Sequence, residues 1–350
     1  MQKNTLNDLI LAKIDASGGK IPYSIYMELA LYAPGLGYYA NGLQKFGPTG
    51  DFTTAPEISP LFGKSISHAI QDFSHLLEFG AGTGILAKTL LENHKNIKKY
   101  WILEISSELQ HRQKELLKDY LDKVTWLTEL PQEPFSGVIL ANEVIDAFPV
   151  TKFLWKDNKT YEYFVTQNNN QLSLIIDEAS NSRINQFVET LDLPNNYSSE
   201  IHLTLKPWIK SLSECLKSGL ILIIDYGFPR HEFYHPERSE GTIMCHYQHR
   251  AHADPLYKPG EQDITAHVDF TAIAEAAVEN NLEIAGYTSQ AGFLLDNNLL
   301  DFSQGAEDAA AIKLLTLPTE MGELFKVIAL TKNWEKPLTG FRMQDRRHRL

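Results

Sequence analysis

Cysteine is nearly absent from this chain: the 350 residues contain two, Cys215 and Cys245, and no Cys-x-x-Cys pair. That excludes a disulfide framework and a paired-thiolate zinc or redox site, and it points to a reducing compartment. No apolar run approaches the roughly 20 residues that a membrane-spanning helix needs. The longest, Leu220-Ile-Leu-Ile-Ile224, has the length of a buried strand, so no membrane insertion is expected. Basic residues are in deficit, with 32 Lys and Arg against 44 Asp and Glu and a formal net charge of −12. The deficit argues against nucleic acid as a partner, because sequence-independent binding needs a basic face. It leaves a basic peptide or protein as the partner that charge would attract, unless the charge serves solubility alone. The start, Met1-Gln-Lys-Asn4, has neither an apolar signal core nor an arginine-rich leader, and Asp8 and Asp15 follow closely. A cytoplasmic location is therefore expected.

A sixth-position glycine is missing from the most informative segment, Leu76-Leu-Glu-Phe-Gly-Ala-Gly-Thr-Gly-Ile-Leu86. A short apolar strand runs into Gly80, Gly82 and Gly84, and a helix resumes near Ile85, which is the form of a backbone loop that lies against a ligand. The dinucleotide fingerprint requires glycine where Ile85 stands. Glu78, two residues before the first glycine, would repel a diphosphate but suits a ligand with an ammonium group, such as the methionine end of S-adenosylmethionine. The next strand, Tyr100-Trp-Ile-Leu-Glu-Ile105, carries Glu104 about 20 residues beyond the glycines, where an acid can accept hydrogen bonds from both ribose hydroxyls.

With 43% hydrophobic residues the chain can bury an ordinary core. Helical spacing of apolar residues over 4–32, broken at Ser17-Gly-Gly19, predicts an N-terminal helical extension in which Pro22 opens a second helix. A glycine-rich aromatic stretch follows, from Pro34 to Phe52. Strands are predicted at 76–80, 100–105, 124–128, 137–142, 219–225, 283–289 and 325–332, and helices at 84–94, 106–120, 199–217, 268–281 and 307–315. This alternation implies an α/β fold with a mostly parallel seven-stranded sheet. The expected organisation is an extension over 1–70 packed on the core, a sheet domain over 71–335, and a basic tail over 336–350, whose end from Phe341 to Leu350 is read first as frayed and second as a docking element. Insertions at about 152–195 and 227–267 would build the substrate side. The first begins as an antiparallel meander over 152–178 that turns at Asp157-Asn158 and Asn168-Asn-Asn170, and it either packs on the core or supplies a homodimer interface. Monomer and homodimer both stay open. The second is expected to be a polar loop, without regular structure, over the site.

The strand Val138-Ile-Leu-Ala141 runs directly into Asn142-Glu-Val-Ile-Asp-Ala-Phe-Pro149. Asn142, Glu143 and Asp146 are thus placed for substrate work, and paired carboxylates there would fix a planar guanidinium and polarise it. Asp146 could equally cap a following helix. Asp51 and Glu57, in Gly50-Asp-Phe-Thr-Thr-Ala-Pro-Glu-Ile-Ser59, could reach the cofactor's amino group or the substrate, or cap the helix that starts near Ser59. His246, His249 and His252 recur every third residue, but a zinc site needs a convergent set that this segment does not supply, so no metal is expected.

These residues resemble the MidA-like methyltransferases, the group that includes a mitochondrial complex I assembly factor. The resemblance rests on Phe46-Gly-x-x-Gly-Asp-Phe52 with Pro56-Glu-Ile-Ser59, Glu78-x-Gly-x-Gly-Thr-Gly84, Ala141-Asn-Glu-Val-Ile-Asp-Ala-Phe-Pro-Val150, Asp225-Tyr-Gly227 and Asp263-Ile-Thr-Ala-His-Val-Asp-Phe270. It implies a class I, Rossmann-like methyltransferase fold. It also implies S-adenosyl-L-methionine held by Glu78, Gly80, Gly82, Gly84, Glu104 and Asp51, and an arginine of a protein substrate, in the animal relative a complex I subunit, oriented by Glu143, Asp146 and Asn142. Two other readings stay open: an assembly chaperone on a methyltransferase fold, against which the intact acids Glu78, Glu104 and Glu143 speak, and a methyltransferase of small molecules, which shares every cofactor residue.

Overall fold

The computed structural model describes residues 5–41, 54–248 and 250–350. The expectations placed on Phe46 to Phe52, Asp51 included, and on His249 lie outside the described residues. The chain divides into two units, one of Phe46–Ile145, Leu205–Pro229 and Asp269–Leu350, the other of Met1–Lys45, Asp146–Thr204 and Arg230–Val268.

In the first unit, Val138 to Ala141 and Leu220 to Ile224 are apolar without alternation, and every one of these residues is at most 2% exposed. Strands covered on both faces have this pattern. They sit at the centre of a sheet built from β1 (His75–Phe79), β2 (Lys99–Leu103), β3 (Val124–Leu127), β4 (Phe135–Asn142), β5 (Leu216–Phe228), β6 (Glu283–Ser289) and β7 (Phe325–Lys332). The order is β3-β2-β1-β4-β5-β7-β6, and the two-residue strand Val268–Asp269 pairs with β5 as an eighth. The first five strands along this order are parallel, and β7 lies antiparallel between β5 and β6. All seven predicted strands are present. Chain order reverses between β1 and β4, so their carboxyl ends flank the crevice where this architecture takes its ligands.

Five helices cover the sheet: α1 (Pro60–Ala69), α2 (Ile85–Asn93), α3 (Ser107–Leu116), α4 (Leu205–Cys215) and α5 (Phe270–Glu279). Three of them, α1, α3 and α5, start on a capping side chain. The Ser59 hydroxyl accepts from the Leu61 N–H at 3.2 Å, and Asp269 accepts from Thr271 and Ala272 at 3.0 and 3.2 Å. Phe62, Ile66, Leu86, Leu90, Ile102, Leu140, Leu222 and Val327 meet in one buried cluster. Each such side chain stabilises the fold by about 1.5–3 kcal/mol on burial.

The helix predicted over 199–217 is corrected. Tyr197–Ile201 is a strand paired antiparallel with Thr151–Lys156, and α4 begins only at Leu205. Tyr197, Ser199, Glu200 and Ile201 are all buried, and pairing with a distant strand overrode a helical reading of the same residues. The predicted meander is present as Thr151–Lys156, Lys159–Asn168 and Gln171–Glu178. Its turns, Asp157-Asn158 and Asn169-Asn170, all have φ between 51° and 62°, the geometry of two-residue hairpin loops. Lys20–Pro22, read as part of a helical stretch, is a short strand against this meander, with Ile21 opposite Val165. The stretch 227–267, expected to lack regular structure, contains three short paired strands, Met244–Tyr247, Arg250–His252 and Asp263–Thr265.

The tail over 336–350 is also corrected: it is docked in the sheet unit. Phe341 is buried against Phe293, ring centroids 5.6 Å apart. Asp296 accepts from the Gly340 and Arg342 N–H groups at 2.8 and 2.9 Å. Arg346 holds Glu323 with both guanidinium nitrogens, and its backbone N–H donates to the Tyr287 carbonyl on β6 at 2.7 Å. A basic composition hid a segment fixed by one buried ring and a bidentate ion pair.

Candidate active site

The glycines after β1 all take positive φ, 58° at Gly80, 55° at Gly82 and 85° at Gly84, a region that side chains rarely adopt. The Gly80 N–H donates to the Leu103 carbonyl at 3.0 Å and the Gly84 N–H to the Ala81 carbonyl at 2.8 Å. The loop is thereby wound onto the start of α2, whose first turn has no side-chain cap. Just before it, Glu78 is 3% exposed and its Oε2 accepts from the Tyr100 hydroxyl at 2.7 Å. Burial pushes this carboxyl up from 4.5 to about 7; the Tyr100 hydrogen bond opposes the rise and the nearby Glu104 charge adds to it.

Glu104 follows β2 and is buried. Its Oε1 accepts from the Ser106 N–H at 3.0 Å, and its Oε2 from the Gln113 amide at 3.2 Å. Two residues of α3 therefore serve the acid: Gln110 donates to the Glu104 carbonyl at 2.7 Å, and Gln113 reaches the carboxylate.

At the end of β4, Glu143 has a φ of 53°, which for a residue with a side chain costs about 1–2 kcal/mol. The turn is held from β5. The Glu143 N–H donates to the Ile224 carbonyl at 2.9 Å, and the wholly buried Asp225 accepts at Oδ2 from the Val144 and Ile145 N–H groups at 3.2 and 2.9 Å. The Asn142 amide donates to Glu143 Oε1 at 3.2 Å, and Asn142 Oδ1 is buried with no hydrogen-bond partner among the described residues. Asn142 and Glu143 thus come together with the glycine loop and Glu104 at the carboxyl ends of neighbouring strands.

Asp146 belongs to the other unit, as the first residue of its second segment. No helix follows it before Thr151, so it caps none. It is 6% exposed and belongs to a cluster with Asp263 and Tyr39. The Tyr39 hydroxyl donates to Asp263 Oδ1 at 2.9 Å, and burial, followed by the charges of Asp263 and Asp146, holds the phenol well above its ordinary value. Glu57 lies in the short helix Ala55–Ile58, while the cap of α1 is Ser59 itself. His246 and His252 stand opposite Ala251 and Cys245 in neighbouring strands, so alternation turns them to opposite faces. Among the described residues no three His, Cys, Asp or Glu side chains gather as metal ligands.

Sequence reasoning gave no role to Tyr100, Gln113 or Asp225. Asp225 carried a signal, standing in an Asp-Tyr-Gly motif at a strand end. Tyr100 and Gln113 carried none, because each acts through a partner 22 or 9 positions away.

The donor set fits an adenosylated amino acid. A backbone loop without side chains, one acid suited to an ammonium and one suited to a ribose diol are all present, and nothing in the described loop counters a diphosphate. A family model for S-adenosyl-L-methionine-dependent methyltransferases matches residues 65–288, more than half of the chain. The chain belongs to this family. The enzyme superposes with a TM-score of 0.94 on a protein from Burkholderia thailandensis bound to S-adenosyl-homocysteine, at 39% identity over 99% of this chain and 96% of that one. Among curated proteins it is similar to the mitochondrial protein arginine methyltransferase NDUFAF7 homolog of Drosophila melanogaster, 28% identical over 90% of this chain and 82% of the relative. It is also similar to mitochondrial protein arginine methyltransferase NDUFAF7 of Danio rerio, 26% identical over 92% of this chain and 85% of the relative. The expected cytoplasmic location is overturned by these relatives, which are mitochondrial by name. Composition near the first residue was an unsound guide to compartment. No helix among the described residues is long and apolar enough to cross a membrane.

Proposed function

We propose that the enzyme methylates the guanidino nitrogens of an arginine in a protein substrate, with a subunit of respiratory complex I as the acceptor that the family resemblance suggests. The observation that carries this reading is the Asn142-Glu143 turn. A strained backbone, clamped by Asp225, presents the Glu143 carboxylate with the Asn142 amide nitrogen hydrogen-bonded to it, and a carboxylate so placed accepts the N–H groups of a planar guanidinium. The relatives' names agree with it.

S-adenosylmethionine supplies a methyl group on a sulfonium, an electrophile that needs no activation. In this reading Gly80, Gly82 and Gly84 let the backbone approach the cofactor, Glu78 pairs with its ammonium and Glu104 accepts from its ribose hydroxyls. Glu143 and Asn142 orient the guanidinium, so that one nitrogen lone pair lies in line with the methyl carbon. Asp146 adds negative charge on the substrate side, and Asp51 is assigned to the cofactor's amino end. The nitrogen forms its bond to carbon as the carbon–sulfur bond breaks, and the nitrogen proton then leaves to solvent. Holding the reactants in this alignment is the main source of acceleration.

The test is transfer of labelled methyl from S-adenosylmethionine into a lysate of the source cell, followed by mass spectrometry of the acceptor. Label on arginine that disappears with Glu143→Gln supports the reading. Label on a small molecule, or on a different side chain, overturns it.

A further inference from the structure

The Gln113 side chain makes three hydrogen bonds that together tie the glycine loop to the acid after β2. Its amide nitrogen donates to the Gly82 carbonyl at 2.9 Å and to Glu104 Oε2 at 3.2 Å. Its amide oxygen accepts from the Trp126 indole N–H at 2.8 Å. The side chain is wholly buried. Its orientation is fixed by chemistry: a flipped amide would set donor against the indole donor and oxygen against two acceptors, so Trp126 on β3 decides which way Gln113 faces. The aliphatic stem also lies beneath the third glycine, where a Cβ on Gly84 would stand 3.2 Å from Gln113 Cγ.

We propose that Gln113 is a positioning residue for S-adenosylmethionine, locked by Trp126, which sets the Glu104 carboxylate to receive the ribose hydroxyls. Because Ser106 already takes Oε1, the Gln113 contact at Oε2 fixes the second oxygen and with it the plane of the carboxylate. With Ser106 at Oε1 and Gln113 at Oε2 the plane of the carboxylate is set toward two adjacent hydroxyls, and loss of the Gln113 contact lets it turn from that plane. The inference rests on the reading of Glu104 as the ribose acid. It adds a specific dependence, since the contribution of Gln113 is expressed only when the ligand carries the ribose diol.

The experiment measures binding by calorimetry with the full chain, using S-adenosylhomocysteine and its analogue lacking both ribose hydroxyls. Gln113→Met is expected to weaken S-adenosylhomocysteine about tenfold or more while changing the dideoxy analogue less than about twofold. Trp126→Phe, which leaves Gln113 in place but unlocks it, gives the same pattern with a smaller loss, and it decides the matter if Gln113→Met fails to fold. Equal weakening of both ligands overturns the proposal, because a general disturbance of the loop does not discriminate by the diol, and so does no weakening of either. Failure of the unaltered protein to bind S-adenosylhomocysteine appears before any substitution is made, and it removes the underlying cofactor reading rather than the role of Gln113 within it.

Discussion

Between pH 6 and pH 8 the enzyme should gain about tenfold in affinity for S-adenosylmethionine through Glu78 alone. Burial places this carboxyl at about 7 in the ligand-free protein, so roughly one-tenth of it is ionised at pH 6 and roughly nine-tenths at pH 8. Only the ionised form pairs with the ligand's ammonium, and binding at pH 6 must therefore release close to one proton from Glu78. The ligand's own amino group titrates at about 7.7–8.0, so the quantity to follow is the ratio of wild type to Glu78→Gln at each pH. Calorimetry in two buffers of different ionisation enthalpy reads the proton directly. The same group bears on stability. Its folded value lies above the unfolded 4.5, so it contributes stability that is complete below pH 4.5 and lost as pH rises through about 7, in total roughly 3 kcal/mol. Glu78→Gln should therefore unfold at a higher temperature than wild type at pH 8 and at a similar one at pH 4. A ratio that stays flat from pH 6 to pH 8, with no proton released at pH 6, would refute the assignment of Glu78 to the ammonium.

Glu143→Gly should relieve the backbone strain at that position and raise stability by about 1 kcal/mol, read as an increase in Tm, while methyl transfer falls about 100-fold or more; loss of both together would show that the turn is structural. Asp225→Ala removes the acceptor of three backbone N–H groups, those of Val144, Ile145 and Tyr226, and should destabilise the protein by about 2–3 kcal/mol in urea unfolding; a smaller change would mean that water substitutes for the carboxylate. Phe341→Ala should lose about 3 kcal/mol by the same measurement, whereas a frayed tail would lose nothing.

The sheet was legible because its strands carry local information. Uninterrupted apolar runs such as Leu220 to Ile224 announce burial on both faces, and three alternating glycines announce the loop at Gly80. The meander was legible from Asp157-Asn158 and Asn169-Asn170, whose left-handed turns follow from residue type. Tyr197–Ile201 was misread because its partner, Thr151–Lys156, is about 45 positions away, and pairing at that distance leaves no periodic mark. The site divided the same way. Glu78, Glu104 and Glu143 were proposed from their places beside strand ends, whereas Tyr100, Gln113 and Asp225, which hydrogen-bond to two of these acids or to the turn that carries the third, act across the fold. The tail was misread because composition reports exposure only on average, while Phe341 and Arg346 act singly.

The position of β7 governs when this protein can first be whole. The strand lies between β5 and β6, yet it is the last strand of the sheet to be synthesised. Until Phe325–Lys332 has emerged, β6 has no strand of the sheet to pair with and β5 presents an open edge of unpaired backbone N–H and C=O groups. A nascent chain that stalls before residue 325 therefore carries the complete glycine loop, Glu78, Glu104 and Glu143 on an unfinished sheet, an aggregation-prone intermediate of the kind that chaperones receive. Cofactor binding to ribosome-bound chains of increasing length would show whether the site matures before the edge is closed.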